Sequence, residues 1–215
     1  IAATFDPTKR TSLITVADMC RKIEENSISL PLYQRDISWT LQKCIDLLNY
    51  QLWGKAPVSP ISINVINTVD SAVPQVSFID REIISTIERG QYSVVDGQQR
   101  LTTNYKAYCN HDDFRNIVLD LGKGEFTEVR DSIRSNQIPV GILLNKEDTK
   151  LFEYTKAKSA LGSADVLSVL LQVRSKMRNY NYTLNSAEDL TEDEQIEWFE
   201  VLNNAGSRVS IIQMR

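Results

Sequence analysis

The sequence predicts an α+β domain, a small mixed β-sheet flanked by helices, with a mainly helical portion after about residue 145. Three observations lead there. Short apolar runs such as Ile61 to Ile66 and Tyr92 to Val95 have strand length and end at turn residues. Between them, stretches such as Thr15 to Glu25 repeat their apolar residues at helical spacing. With 215 residues, 42% of them hydrophobic, the chain can bury a substantial core. The whole of 1–215 reads as a single domain with a soft internal boundary near 145, because no linker composition separates the two portions.

Val16, Met19, Cys20 and Ile23 form the stripe of the first helix, and Thr15 with Asp18 is spaced as a weak capping box. A second helix starts at Thr40, buries Leu41, Cys44, Ile45, Leu47, Leu48 and Leu52, and stops at Gly54 before Pro57. Ile61 to Ile66 is a strand, Val76 to Ile79 a candidate strand, and Tyr92 to Val95 a strand leading into a helix over Leu101 to Tyr108. Asn116 to Leu121 and Glu125 to Val129 form a hairpin around Gly122-Lys123-Gly124. Ile138 to Leu144 reads as a further strand interrupted by Pro139 and Gly141. Helices follow over Asp148 to Ala160 and Ala164 to Tyr180, the latter with Val166, Leu167, Leu170, Leu171, Val173 and Met177 as a broad apolar face. Tyr180 to Leu184 can return to the sheet, and Thr191 with Glu194 is a capping box for a helix running to about Asn203.

Composition excludes several classes. No apolar run approaches the roughly 18 residues of a membrane span, and no signal-peptide pattern is present, so the expected compartment is cytoplasmic. Cys20, Cys44 and Cys109 read as buried thiols rather than a disulfide framework. A formal charge of −4 argues against a domain that coats nucleic acid through an overall positive field. Arg174, Lys176 and Arg178 are a candidate local patch, read first as a solvated surface. The single histidine, His111, reads as a loop residue. Asp112 with Asp113, and Glu192 with Asp193 and Glu194, read as solvated turns or helix-start charges. There is no GxxxxGK[ST], no GxGxxG and no nucleophile elbow.

The segment with most chemistry is YSVVDGQQRLTT, Tyr92 to Thr103, where an apolar strand breaks at Asp96-Gly97. Gly97 can take a positive φ, and the following amides are free donors of a helix start, which attracts anions. Arg100 adds a planar fork for a phosphate or carboxylate, and Gln98, Gln99, Thr102 and Thr103 supply neutral partners for sugar or base. The same pattern also describes a capped helix after a core strand. A second cluster, LPLYQRDISW, places Tyr33, Gln34, Arg35 and Asp36 in a loop after Pro31, where Tyr33 can be packing and Arg35 can pair with Asp36. A third, WFEVLNNAGSRVS, carries Phe199, Leu202, Asn203, Gly206 and Ser210; there Asn203 and Gly206 fit a helix C-cap.

Together, PxYQRxxxW, VVDGQQRLTT and the FxxLNxxGxxLS-like segment, with Val209 where leucine is usual, resemble the amino-terminal domain of GmrSD-type modification-dependent restriction proteins. The three occur in family order over residues 31 to 210. The resemblance implies a ParB/sulfiredoxin-like core and nucleoside triphosphate binding and hydrolysis, regulating a DNA-targeting defence or restriction activity. It assigns Asp96, Gln98, Gln99 and Arg100 catalytic roles. Arg100 would stabilise phosphoryl charge, a glutamine would orient water, and Asp96 would act as base or contact a hydrated Mg²⁺. Tyr33, Gln34, Arg35, Gly97, Thr102, Thr103, Asn203 and Gly206 would complete the nucleotide site. The implied partners are DNA, a His-Asn-His nuclease domain in the same longer chain or a separate protein, and a second copy in a homodimer. The start at Ile1 reads as a fragment of a longer protein. Two other readings stand beside the enzyme: a non-hydrolytic module sensing modified DNA, and a regulatory protein-interaction domain.

Overall fold

The computed structural model describes residue 4, residues 10–36 and residues 38–204. Two sheets and two apolar cores organise these residues. Strands β1 (Thr11–Thr15), β2 (Ile28–Pro31), β3 (Ile61–Ile66), β4 (Gln75–Val76), β5 (Gln91–Asp96) and β9 (Asn181–Glu188) form one sheet in the order β1-β9-β3-β5-β2-β4. Its β9-β3 and β5-β2 pairs are parallel and the others antiparallel, so the sheet is mixed as predicted. Strands β6 (Ile117–Asp120), β7 (Glu125–Glu128) and β8 (Gln137–Pro139) form an antiparallel sheet ordered β7-β6-β8.

Helix α1 (Val16–Glu24) starts at Thr15, whose hydroxyl accepts from Asp18 N at 3.2 Å. Helix α2 (Leu41–Trp53) is capped at Thr40, and α3 (Gln98–Tyr108) starts immediately after Gly97. Met19, Cys20 and Ile23 of α1 and Leu101 and Tyr108 of α3 pack on Ile28, Ile63, Val94 and Leu184 of the larger sheet. The second core joins Cys44, Ile45 and Leu48 of α2 to Phe126, Ile138 and the later helices. These are α4 (Val140–Leu143), α5 (Asp148–Ala157) and α6 (Ala164–Arg178). Helix α7 (Glu192–Asn204) closes the described chain. At its start the reciprocal box is complete: Thr191 Oγ1 accepts from Glu194 N at 3.3 Å, and Thr191 N donates to Glu194 Oε2 at 2.8 Å.

Several expectations change. Ile138 to Leu144 is not one strand: β8 ends at Pro139, whose fixed φ of −57° begins the helical turn α4. Val76 to Ile79 contributes only Val76 to a strand, because the chain turns at Phe78 and Ile79 adopts φ +67°. The apolar face expected of α6 is narrower, with Leu170 and Met177 buried and Leu171 exposed. Arg174 is no surface charge. Its guanidinium is buried and donates to Leu143 O and Asn145 O at 2.7 Å each and to Asp148 at 2.5 Å. Arg178 donates to Asn145 O and Lys176 to Leu52 O, so the basic trio braces helix ends. Strands β1 and β2 had no counterpart among the predicted elements. Among the described residues no helix is long and apolar enough to cross a membrane.

Two interior details matter later. Gln51, Asn104 and Tyr182 are buried and bonded to one another: Asn104 Nδ2 donates to Gln51 Oε1 at 2.8 Å, Gln51 Nε2 to the Tyr182 oxygen at 2.8 Å, and the Tyr182 hydroxyl to Asn104 Oδ1 at 2.6 Å. At the small sheet, buried Asp120 accepts from Gly122 N, Lys123 N, Asn136 Nδ2 and Gln137 Nε2. Those donors hold its carboxyl below the usual range, the Gln137 bond contributing most.

Candidate functional site

The turn between β5 and α3 has the geometry its sequence requires. Gly97 lies at φ +110°, and a Cβ there would stand 2.4 Å from Ile61 Cδ1. Only glycine meets both conditions. The free amides of α3 therefore open toward a cleft of about 570 Å³.

Three segments that are distant in sequence form its walls. Asp96, Gly97, Gln98, Gln99 and Arg100 come from the turn, Tyr33, Gln34, Arg35, Trp39 and Lys43 from the loop and the start of α2, and Ile196, Phe199 and Asn203 from α7. Bonds between the walls fix their spacing. Gln34 Nε2 donates to Val94 O at 3.1 Å and Val95 O at 2.9 Å, tying the loop to the end of β5. Trp39 N donates to Gln99 Oε1 at 3.2 Å, tying the same loop to α3. The Tyr33 hydroxyl donates to Gln195 Oε1 at 3.2 Å, which joins it to α7. Burial and nearby Glu192 push the Tyr33 phenol up to about 12, so it is a donor throughout the neutral range.

Arg100 is a strut as well as a charge. Its Nη1 donates to Ser59 O and its Nη2 to Pro60 O at 3.2 Å, with Asp96 Oδ2 3.5 Å away. Two of its five N–H groups serve those carbonyls, which leaves Nε and part of the fork for a ligand. Among the described residues, Arg35, Lys43 and Arg100 face the cleft against one carboxylate, Asp96. An acidic chain thus concentrates positive charge at the amino end of a helix.

The other sequence-selected residues divide. Thr103 is buried and donates to Gln99 O at 2.8 Å, one turn inside α3, and Thr102 lines a separate chamber of about 190 Å³ behind Gln98 and Gln99. Gly206, Ser207, Val209 and Ser210 lie outside the described residues. Arg35 forms no ion pair with Asp36 among the described residues. His111 is a loop residue whose Nδ1 accepts from Asp113 N at 3.2 Å. Cys20 and Cys44 are buried free thiols, while Cys109 is half-buried.

Sequence reasoning missed Lys43, Ile196 and Phe199 as cleft residues. Ile196, Phe199 and Asn203 recur at helical spacing on α7, a signal that was available once that helix was placed. Lys43 sits in the first turn of α2, and nothing local distinguishes it from a solvated lysine.

Fold and cleft define a class: an α+β domain with an anion-suited cleft at a strand-to-helix turn, walled by an aromatic loop and a late helix. Within it, the family profile of the GmrSD restriction endonuclease N-terminal domain matches residues 16–214, and the chain belongs to that family. Membership connects it with restriction and defence. No curated protein matches the chain.

Proposed function

We propose that the cleft binds a nucleoside triphosphate with Mg²⁺ and hydrolyses it, and that this controls a DNA-targeting restriction activity. The observation that carries the reading is the placement of Arg35, Lys43 and Arg100 around the amino end of α3, beside apolar surface from Trp39, Ile196 and Phe199. Phosphates suit the helix end and its cations, and a base suits the aromatic wall. A volume of about 570 Å³ lies within the range of small-molecule sites.

Asp96 is the carboxylate available to a phosphate-bound Mg²⁺, for which one or two carboxylates suffice. Bound there, the ion would neutralise phosphoryl charge. Gln99 already accepts a bond from Trp39 N, whereas among the described residues nothing bonds the Gln98 amide at the cleft wall, so Gln98 is the better residue to orient an attacking water. Gln34, committed to Val94 and Val95 carbonyls, shapes the cleft by holding its walls together. Arg100 lines the cleft and would stabilise phosphoryl charge once its guanidinium turns to the ligand from the Ser59 and Pro60 carbonyls.

One observation favours the non-hydrolytic alternative. Arg100 is drawn toward Ser59 and Pro60, and if it remains there in the complex it serves recognition rather than catalysis. Calorimetric titration with ATP, GTP, CTP and UTP plus Mg²⁺, with phosphate release followed in parallel, separates the readings. Saturable binding lost in Arg100→Ala, with release abolished in Gln98→Ala, supports the enzyme. Binding without release leaves a nucleotide-binding domain without turnover, and no binding to any nucleotide defeats the nucleotide reading and turns the search to modified DNA.

A further inference from the structure

The connection from α2 to β3, residues 55–60, is tied to the rest of the domain by side chains. Among the described residues it makes no backbone–backbone hydrogen bond, and Pro57 and Pro60 have no N–H to give. One attachment is at Val58, whose side chain is half-buried against the core of the larger sheet and whose N donates to the Tyr180 hydroxyl at 3.3 Å. The other is Arg100, which donates to Ser59 O and, at 3.2 Å, to Pro60 O. Ser59 and Pro60 are themselves exposed.

Arg100 stands between two depressions. With Asp96 and Asn203 it lines both the main cleft and a neighbouring basin of about 670 Å³, whose lining includes Pro57, Ser59 and Pro60. As the side chain lies, both terminal nitrogens serve the connection. The two sets of acceptors are unequal. A backbone carbonyl is a neutral acceptor, whereas a phosphate is charged and takes an arginine fork by two parallel bonds, each roughly twice as strong. The carbonyls given up belong to exposed residues, where water replaces the arginine at little cost. A phosphate in the cleft therefore draws Arg100 off the connection.

We propose that Arg100 is a clasp exchanged between the 55–60 connection and the ligand of the cleft. Closed, it restrains the connection and withholds the arginine from the cleft, an autoinhibitory contact; an occupied cleft opens it. Resting on the nucleotide reading, the clasp gives bound nucleotide a signal at the surface, because Ser59 and Pro60 come free as the phosphates arrive. The linkage runs both ways, so whatever weakens the hold on the connection strengthens binding in the cleft.

The test uses the whole chain, wild type and Arg100→Ala, Arg100→Lys and Tyr180→Phe, with the thermal midpoint of each variant recorded to establish folding. Hydrogen exchange at the Val58 amide reads the connection. Without ligand, exchange about tenfold faster in folded Arg100→Ala, and partly restored in Arg100→Lys, is the expected result. Equal exchange in wild type and Arg100→Ala overturns the clasp. Tyr180 lies outside the cleft lining and holds the connection from its other side, so Tyr180→Phe should raise the affinity for nucleotide with Mg²⁺, or for pyrophosphate as a simpler probe, by about threefold. Unchanged or weaker affinity in that folded variant overturns the coupling. Saturating ligand should bring Val58 exchange in the wild type to the Arg100→Ala rate, and calorimetric binding with Val58 still protected overturns the exchange of partners. If pyrophosphate frees Val58 while no nucleotide binds, the clasp stands and the nucleotide reading falls.

Discussion

Helix α3 carries two amide-rich clusters little more than one turn apart. In the interior, Gln51, Asn104 and Tyr182 form a closed ring of short hydrogen bonds. At the amino end, Gln34 and Arg100 donate to backbone carbonyls and Gln99 accepts from the Trp39 amide, while among the described residues the Gln98 side chain has no bond and the buried Gln34 Oε1 no partner. Similar side chains serve opposite ends. A saturated amide ring specifies packing, because every alternative arrangement strands a buried donor. An unsaturated cluster beside a cavity retains capacity for something else.

The contrast is most easily broken at the interior ring. Asn104→Leu leaves Gln51 and Tyr182 without their partner, and urea unfolding is expected to show a loss of about 3 kcal/mol. A loss below about 1 kcal/mol would mean that the ring relaxes and is not a packing device. Gly97→Ala comes next. It places a methyl against Ile61 at a left-handed φ, with an expected cost of about 1–3 kcal/mol, and moving the turn should also weaken any nucleotide binding measured by calorimetry.

Asp120 extends the comparison to a charged group whose acceptor sites are filled. Its folded pKa is depressed, so its contribution is present above the unfolded value and disappears as pH falls through the folded one. Asp120→Asn should therefore cost about 1–2 kcal/mol at pH 7. The gap from wild type should stay constant down to about pH 5 and close below about pH 4, read from urea midpoints across that range. At the small end stands Gln98→Ala. Its stability change should remain within about 0.5 kcal/mol, while phosphate release, under the proposed function, falls at least tenfold. An equally large stability loss would place Gln98 with the structural amides.

Much of the fold was legible because its signals are local. Thr15, Thr40 and Thr191 cap the three helices whose starts they were expected to mark, and Ile61–Ile66 and the hairpin around Gly122 to Gly124 lie where their patterns put them. What was missed depends on distant partners. Strand β1 exposes Leu13 and buries only Ile14, so its pairing with β9 leaves almost no alternation to read. Strand β2 is four residues long and ends in proline. Arg174 looked like a surface charge until the carbonyl end of α4 supplied its acceptors. At the site, the turn and loop residues were evident from their motifs, whereas Lys43 carries no local signal and Ile196 and Phe199 come from a helix distant in sequence.

Strand β9 carries a consequence for the order of assembly. It is inserted between β1 and β3, and Thr11 meets Asn185 across 174 residues of chain. A ribosome adding about 5–20 residues per second needs on the order of ten seconds or more to produce the partner that β1 awaits. Through that interval both neighbours of β9 present open edges, each able to pair with a strand from another nascent chain. The cleft inherits the same delay, since α7 follows β9 directly. Arrested translation products ending before Asn181 should therefore be captured by chaperones and digested readily by protease, whereas those extending past Asn204 by more than the ribosomal exit tunnel should be protected.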